Sequence, residues 1–214
     1  KAARTNLMFT TASEKGCKKI IITSSVAKEG KSTTSTNLAI TFAQTGVRTM
    51  IIEADLRRPK LHQYLDLPNE NGMAEYLGGS ESGFVEMMNK RAQELGMKNT
   101  TFKNCTGLPI EGHLSTAYDI SIMSRELLKH PTILKYTGTY METISEGRKS
   151  PIELVNHNKL VRFFKGCDGL KTGFTNDAKY CISATATRDG VRMLSVIMGA
   201  PTFKIRNRDA SMLM

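Results

Sequence analysis

The first third of the chain consists of short apolar runs separated by one amphipathic segment. Residues 19–23 (Lys-Ile-Ile-Ile-Thr) and residues 49–52 (Thr-Met-Ile-Ile) are nearly continuous β-branched or apolar runs. Such runs predict strands that are buried on both faces. Residues 32–45 place apolar side chains at helical spacing and are followed by Gly46, a residue that commonly ends helices. The pattern predicts a strand–helix–strand unit with parallel pairing.

The rest of the chain begins with helical periodicity. Three segments carry apolar positions at helical spacing, at residues 73–77, 84–95 and 115–128. Gly96 is a natural stop for the second helix, and Ser115 is placed to cap the third. His130-Pro131 is expected to end the third helix.

The C-terminal part changes to the alternation that is typical of strands. Residues 180–187 and 191–198 each form such a run, and Asp189-Gly190 lies in the turn between them. An Asp-Gly turn between two alternating runs predicts an antiparallel hairpin. The predicted fold class is α/β: a partial parallel unit (residues 1–72) joined, near Asn71-Gly72-Met73, to an incomplete α+β part (residues 73–214).

Composition narrows the function classes. The 214 residues carry a formal net charge of +10, but Lys and Arg are interleaved with acidic residues, so we expect no nucleic-acid partner. No window approaches the run of about 18 apolar residues that a membrane helix needs, so we expect no membrane segment in this chain. The cysteines Cys17, Cys105, Cys167 and Cys181 lack metal-ligand spacing, although Cys167 and Cys181 flank the hairpin and could approach each other.

A phosphate-binding motif lies between the first predicted strand and its helix. The sequence Gly-Lys-Ser-Thr matches the end of a Walker A loop, in which backbone N–H groups at a helix start bind phosphates. Lys31 would reach the β- and γ-phosphates of ATP, and the Ser32 hydroxyl would coordinate Mg²⁺. The predicted nucleotide-binding residues are Lys28, Glu29, Gly30, Lys31, Ser32 and Thr33. The alternative is a helix that follows a chance Gly-Lys pair.

Residues 4–72 resemble the P-loop domain of the bacterial tyrosine kinases that regulate capsule and exopolysaccharide export. The resemblance rests on the Gly-Lys-Ser-Thr loop and on Glu53-Ala54-Asp55-Leu56-Arg57-Arg58-Pro59. It implies that Asp55 helps to hold Mg²⁺. It also implies that Glu53 assists the substrate hydroxyl, although the family usually has Asp at that position.

Residues 73–208 resemble a second family, the serine-type D-alanyl-D-alanine carboxypeptidases, which are penicillin-binding proteins. The matching text includes Met73-Ala74-Glu75-Tyr76-Leu77 and Asp168-Gly169-Leu170-Lys171-Thr172-Gly173. The resemblance implies that Lys171 and Thr172 of the Lys-Thr-Gly motif bind the terminal carboxylate of a D-Ala-D-Ala peptide or a β-lactam. It also implies that the strand edge, including Gly173, pairs with the substrate backbone.

Each part lacks motifs that its family needs. No later Walker B strand or Tyr-rich tail follows residue 72, and the carboxypeptidase nucleophile should precede Met73. Ser25-Val26-Ala27-Lys28 and Ser35-Thr36-Asn37 fit the required Ser-x-x-Lys and Ser-x-Asn strings, but Lys28 lies in the phosphate loop. We therefore do not assign Ser25 as a nucleophile.

Three functional hypotheses follow. The first is a composite of two enzyme pieces whose best residual activity is Mg-ATP binding, with neither kinase nor peptidase turnover. The alternative is a D-Ala-D-Ala carboxypeptidase or penicillin-binding function in peptidoglycan metabolism, and the third is a composite without function. The two resemblances imply opposite locations, cytoplasmic and extracytoplasmic, so the sequence leaves the location open.

Overall fold

A computed structural model of the chain describes residues 2–10, 16–22, 30–70, 72–144 and 152–214. The contacts divide the chain into two compact units, Lys1–Gly79 (unit 1) and Ser80–Met214 (unit 2). The boundary expected from the sequence, between residues 72 and 73, stays a prediction.

Unit 1 is helical where it has regular structure. Its described helices are α1 (Ala2–Thr10), α2 (Lys31–Ala43), α3 (Leu61–Tyr64) and α4 (Met73–Gly78). The predictions of a helix after the phosphate motif and of a helix from Met73 are confirmed. Arg4 Nη1 donates a hydrogen bond to the Thr41 carbonyl at 2.9 Å and so joins α1 to α2.

The prediction of two parallel strands in unit 1 is wrong for the described residues. Residues 17–22 and 47–55 form no strand, and Ile21 is 88% and Ile52 63% exposed. A parallel pair is stable only when both of its faces are covered, and its two strands need a crossover connection between them. The helix between the two apolar runs could serve as the crossover, but one helix covers at most one face of a strand pair, so the requirement for two covered faces is not met. The strand–helix–strand unit is therefore reduced to its helix.

Unit 2 contains the remaining helices of the described residues. They are α5 (Glu81–Glu94), α6 (Ala117–Leu127), α7 (Thr132–Thr137), α8 (Leu160–Phe163) and α9 (Phe203–Met212). The predictions for α5 and α6 are confirmed, but the cap of α6 is Thr116, whose Oγ1 accepts a hydrogen bond from the Asp119 N–H at 3.1 Å. Ser115, the predicted cap, instead shares a hydrogen bond with Thr100 at 2.9 Å.

Unit 2 also contains antiparallel sheets. The strands are β1 (Met141–Ile144), β2 (Ile152–Val155), β3 (Cys167–Thr175), β4 (Lys179–Arg188) and β5 (Val191–Ala200). In the described residues, β1 pairs with β2, and the larger sheet has the order β3-β4-β5. The predicted hairpin is confirmed as β4 and β5. Its turn residues Asp189 and Gly190 both have positive φ, as the tight hairpin turn requires. The fold is therefore mixed α/β with antiparallel sheets.

The two faces of the larger sheet have different chemistry. Ile182, Ala184 and Ala186 of β4 face α8 and α9, where Leu160 and Ala210 complete the apolar core. The alternate residues of β4 lie on the opposite face because side chains alternate along a strand. There, Ser183 shares a buried hydrogen bond with Ser124 of α6 at 2.8 Å. The core thus lies on the α9 side, and the α6 side is polar.

Candidate functional site

The Lys-Thr-Gly motif lies in the middle of β3. Lys171, Thr172 and Gly173 pair with Ser183, Ile182 and Cys181 of β4 respectively. In the described part of the chain, β3 has a strand partner on one side only. The backbone groups on the other side of β3 therefore have no strand partner among the described residues.

Among the described residues, the edge of β3 is covered before the motif and has no neighbouring strand along it. The Asp168 carbonyl accepts a hydrogen bond from Thr137 Oγ1 at 2.9 Å, and the Gly169 carbonyl accepts one from Asn158 Nδ2 at 3.0 Å. A Cβ atom at Gly169 would lie 2.7 Å from Thr137 Oγ1, so this close approach requires glycine. The register also shifts between Cys167 and Gly169. Such irregularities change the direction of a strand, and this one lies directly before the motif.

An ion pair crosses the sheet beside the motif. The two Nη atoms of Arg192 on β5 each lie 2.8 Å from a carboxylate oxygen of Asp168 on β3. Arg192 also donates to Thr185 Oγ1 of β4 at 3.0 Å, and the Thr185 hydroxyl donates to the Met193 carbonyl. The hydrogen bond to Asp168 raises the pKa of Arg192 above its ordinary value. One side chain therefore connects all three strands of the sheet.

The motif presents its side chains on both faces of the sheet. Lys171 shares a face with its partner Ser183, whereas Thr172 shares the α9 face with Ile182. Lys171 is exposed, and its Nζ donates a hydrogen bond to the Thr172 carbonyl. No salt bridge joins Lys171 to an acidic residue among the described residues. A cation at an open strand edge can bind a carboxylate.

Arg206 of α9 is a buried cation that the sequence reasoning missed. It is 5% exposed, and its guanidinium donates to Asn207 Oδ1 at 2.8 and 3.0 Å. Burial lowers the pKa of Arg206, while the neighbouring Cys181 and Tyr180 act in the opposite direction. Its spacing of one helical turn from Ala210 places both residues on the same face of α9, and the packing of the sheet buries that face.

The predicted phosphate-binding residues lie in unit 1, and the structure describes part of them. Lys28 and Glu29 fall outside the described residues, as does the candidate nucleophile Ser25. Gly30 adopts φ 84°, and α2 begins at Lys31, with its first backbone hydrogen bond running from the Thr34 N–H to the Gly30 carbonyl at 2.8 Å. A left-handed glycine before a helix start is compatible with a phosphate loop.

Side-chain hydroxyls along α2 bond within the helix. Ser35 Oγ donates to the Lys31 carbonyl at 2.8 Å, and Thr36 Oγ1 donates to the Ser32 carbonyl at 2.9 Å. The Ser35-Thr36-Asn37 string therefore lies in a helix, and both of its hydroxyls donate to backbone carbonyls one turn earlier. Ser32 and Thr33 occupy the first turn of the same helix.

The two predicted kinase-like carboxylates bind backbone amides of their own loop. Glu53 Oε2 accepts hydrogen bonds from the N–H groups of Lys60 and Leu61, each at 2.8 Å, and so stabilises the start of α3. Asp55 Oδ1 accepts from Arg57 at 3.2 Å and from Arg58 at 3.0 Å. No cluster of three His, Cys, Asp or Glu side chains suited to a metal ion occurs within the described residues. In Glu53 and in Asp55, one carboxylate oxygen accepts hydrogen bonds from nearby backbone N–H groups.

The described cysteines are all free thiols. Cys167 is buried at the start of β3, and desolvation raises the pKa of its thiol. Cys181 lies opposite Gly173 on β4 and is half-buried. Cys167 is paired with Ala186, so the two cysteines occupy different positions along the hairpin and form no bridge.

The lengths and composition of the helices can be compared with what a membrane-spanning helix needs. None of the helices within the described residues combines the length and the apolar character that crossing a bilayer requires.

Comparison with known proteins assigns the chain to one of the two families that it resembles. A family model for D-alanyl-D-alanine carboxypeptidases, peptidase S11, matches residues 12–202. The chain is 50% identical over 142 residues to the D-alanyl-D-alanine carboxypeptidase DacF of Bacillus subtilis, which covers 66% of this chain and 36% of DacF. Penicillin binding protein 5 of Haemophilus influenzae superimposes with a TM-score of 0.56 and 34% identity, covering 66% of this chain and 40% of that structure.

The kinase resemblance has weaker support. The chain is 30% identical over 151 residues to the putative tyrosine-protein kinase CapB of Staphylococcus aureus, covering 68% of this chain and 61% of CapB. The structure forms no P-loop strands in the described part of unit 1. The chain spans about a third of the length of DacF. The family model, by contrast, matches most of the chain, and we conclude that this protein belongs to the peptidase S11 family of D-alanyl-D-alanine carboxypeptidases.

Proposed function

We propose that the chain forms the carboxylate-recognition part of a serine-type D-alanyl-D-alanine carboxypeptidase that acts in peptidoglycan metabolism and binds β-lactams. The supporting observation is the Lys-Thr-Gly motif on the open edge of β3, in a chain of this family. From the sequence alone, this carboxypeptidase function was the alternative to Mg-ATP binding. Because the family model matches most of the chain, it is the main proposal here.

The proposed chemistry follows from three consecutive residues of β3, of which Lys171 and Thr172 would reach a carboxylate at the strand edge from opposite faces of the sheet. Lys171 supplies a positive charge, and the Thr172 hydroxyl supplies a hydrogen-bond donor for the terminal carboxylate. Gly173 leaves room for the ligand backbone to lie along the strand edge. Gly173 is exposed, and a Cβ atom there would find only Cys181 Cβ within 4 Å, so the face of the sheet is unobstructed at Gly173.

A binding experiment tests the recognition step. Acetyl-D-Ala-D-Ala should bind the full chain, as followed by NMR chemical shifts, and Lys171→Ala should weaken it tenfold or more because a charge-assisted hydrogen bond contributes about 1.5–3 kcal/mol. Lys165→Ala is the matched control, since Lys165 is exposed and precedes β3. Binding that is equally strong in Lys171→Ala would contradict the proposal.

Covalent turnover is a separate question. Ser25-Val26-Ala27-Lys28 is the sole Ser-x-x-Lys string in the sequence. A nucleophilic serine must lie within hydrogen-bond reach of its base. We expect no covalent label from a fluorescent penicillin on a denaturing gel. A label that Ser25→Ala removes would assign the nucleophile to Ser25, and a label that Ser25→Ala leaves in place would assign it elsewhere.

A second candidate function is Mg-ATP binding by unit 1. It is favoured by the identity to CapB and by the position of Gly30 directly before α2. Lys31 and Ser32 would act as proposed from the sequence, with Asp55 as a further magnesium ligand. A ligand that binds only the folded state raises its stability, so Mg-ATP should raise the melting temperature, and Lys31→Ala should abolish the shift. Lys18→Ala is the control, and an unchanged shift in Lys31→Ala would exclude this site.

A further inference from the structure

Two cations and two aromatic rings form a cluster on the surface of unit 2. This cation–aromatic cluster consists of Tyr140, which directly precedes β1, and of Lys159, Arg162 and Phe163 at α8. The Lys159 Nζ lies 5.4 Å and the Arg162 Cζ 5.3 Å from the centre of the Tyr140 ring. The Phe163 ring packs edge-on against Tyr140 at 6.2 Å between ring centres. One tyrosine thus brings two positive charges together.

The two cations have no carboxylate partner. Among the described residues, neither Lys159 nor Arg162 forms a salt bridge or donates a side-chain hydrogen bond. Glu142 shares a face of the hairpin with Tyr140 but pairs with neither cation. An aromatic ring attracts a cation without using its N–H groups as donors. Like charges at one ring repel each other, and an external anion would relieve that repulsion.

Packing alone does not account for the cluster. Phe163 is 72% exposed, so its contact with the hairpin buries little of the ring. The start of α8 is held instead by Asn158, which is 1% exposed. Asn158 Oδ1 accepts a hydrogen bond from the Leu160 N–H at 3.1 Å, and Asn158 Nδ2 donates to the Gly169 carbonyl at 3.0 Å. The cluster therefore rests on a fixed support and presents its charges outwards.

The surface around the cluster favours a linear polyanion over a membrane. A helix or hairpin that lies on a membrane needs several apolar side chains on one face. The exposed Met141 and Val155 are cross-strand partners and lie on the hairpin face opposite Tyr140, because side chains alternate along a strand. Of these exposed apolar side chains and Phe163, only Phe163 lies on the Tyr140 side. A phosphate chain needs only cations, and it presents oxygen acceptors at every repeat.

We propose that the cation–aromatic cluster is a binding site for a linear phosphate-bearing polymer without bases. This inference goes beyond the proposed carboxypeptidase function, because none of the four residues belongs to the Lys-Thr-Gly motif. Lys159 and Arg162 bind phosphate oxygens of the polymer. Tyr140 is a positioning residue that holds both cations at one place. The site would attach the protein to an anionic polymer and leave the motif free.

Titration with short linear inorganic polyphosphate tests the site. Binding to the full chain is measured at several salt concentrations, because each lost phosphate contact lowers the slope of log K against log salt by about one. Lys159→Gln/Arg162→Gln should lower the slope by about two and weaken binding about tenfold or more. The matched control, Lys98→Gln/Arg125→Gln, removes one exposed lysine and one exposed arginine elsewhere in unit 2 and should keep both values.

Tyr140→Leu tests the positioning role at constant net charge. The variant keeps both cations but removes the ring that holds them, so polyphosphate binding should weaken about two- to fivefold. The salt slope should stay at the wild-type value, since no cation is lost. Binding of acetyl-D-Ala-D-Ala to Lys159→Gln/Arg162→Gln should equal that of the wild type. Failure of this site and failure of the proposed function are therefore measured separately.

Several results would overturn the proposal. They are the absence of polyphosphate binding, an unchanged salt slope in the double variant, and an equal loss in the control variant. A preference for phosphatidylglycerol vesicles or for a thymidine oligonucleotide that the double variant loses would assign the surface to a membrane or to a nucleic acid instead. If the double variant fails to melt cooperatively, Lys159→Gln and Arg162→Gln are measured separately, and each should lower the slope by about one.

Discussion

Unit 1 and unit 2 differ in whether their predicted strands form. In unit 2, β4 and β5 are joined by a two-residue turn, and the alternate residues of β4 cover one apolar core. In unit 1, the two apolar runs of residues 17–22 and 47–55 are irregular and largely exposed. Local antiparallel pairing needs only a turn, whereas parallel pairing needs a crossover and cover on both faces.

The same difference applies to the candidate sites. The Lys-Thr-Gly motif lies on a strand whose position is determined by contacts from α7, from β5 and from the loop before α8, made by Thr137, Arg192 and Asn158 respectively. The kinase-like carboxylates Glu53 and Asp55 bond to amides of the loop that carries them. A site on a paired strand is thus held by long-range contacts, while the unit 1 groups are held by their sequence neighbours.

The largest expected effect on stability comes from replacing a buried isoleucine of unit 2 with alanine, and the same replacement at an exposed isoleucine of unit 1 is its comparison. Ile182 is 2% exposed and Ile21 is 88% exposed. Ile182→Ala should lower the free energy of unfolding by about 2–4 kcal/mol because it leaves a cavity in the core. Ile21→Ala should change it by less than about 0.5 kcal/mol. Urea unfolding of both variants measures the difference, and equal losses would show that Ile21 is buried in solution.

An intermediate effect is expected from the ion pair across the three strands. Arg192→Leu should cost about 1 kcal/mol, since the pair is bidentate but about one third exposed. Arg208→Leu, which removes an exposed pair with Asp209, should cost almost nothing. A double-mutant cycle with Asp168→Asn measures the coupling, and strictly additive losses would show that Arg192 and Asp168 do not interact.

The smallest effect is a pH dependence on the surface of unit 2. The hydrogen bond from Lys129 lowers the pKa of Glu126, with Arg91 and His130 adding to the effect against desolvation. A lowered pKa gives stability that is present above the unfolded value of about 4.3 and is lost as the pH falls through the folded value. The melting temperature of Glu126→Gln should therefore lie slightly below wild type at pH 7 and match it at the acid end.

The control for this pH effect is Glu86→Gln, which removes an exposed carboxylate from α5. It should show no such change between the two pH values. A difference between Glu126→Gln and wild type that grows on acidification would reverse the sign of the argument.

Much of unit 2 was predictable from local pattern, while its connections were not. The Asp189-Gly190 turn indicated the hairpin because only a few residue types adopt the required positive φ. Nothing local indicated that Arg192 would reach Asp168, since the two residues are far apart in sequence and meet only across β4. Ser115 was the predicted cap of α6, but Thr116 caps the helix, because the Ser115 hydroxyl is hydrogen-bonded to Thr100.

The sequence by itself determined helices α2, α4, α5 and α6, the β4–β5 hairpin and the Lys-Thr-Gly motif, because each depends on residues close together in the chain. Only the tertiary structure decided that the apolar runs of unit 1 remain unpaired, that β3 is an edge strand and that Arg206 is buried beside β4. These outcomes depend on which distant segments cover a surface. An apolar run predicts that burial is favourable, but a partner from elsewhere in the chain must supply it.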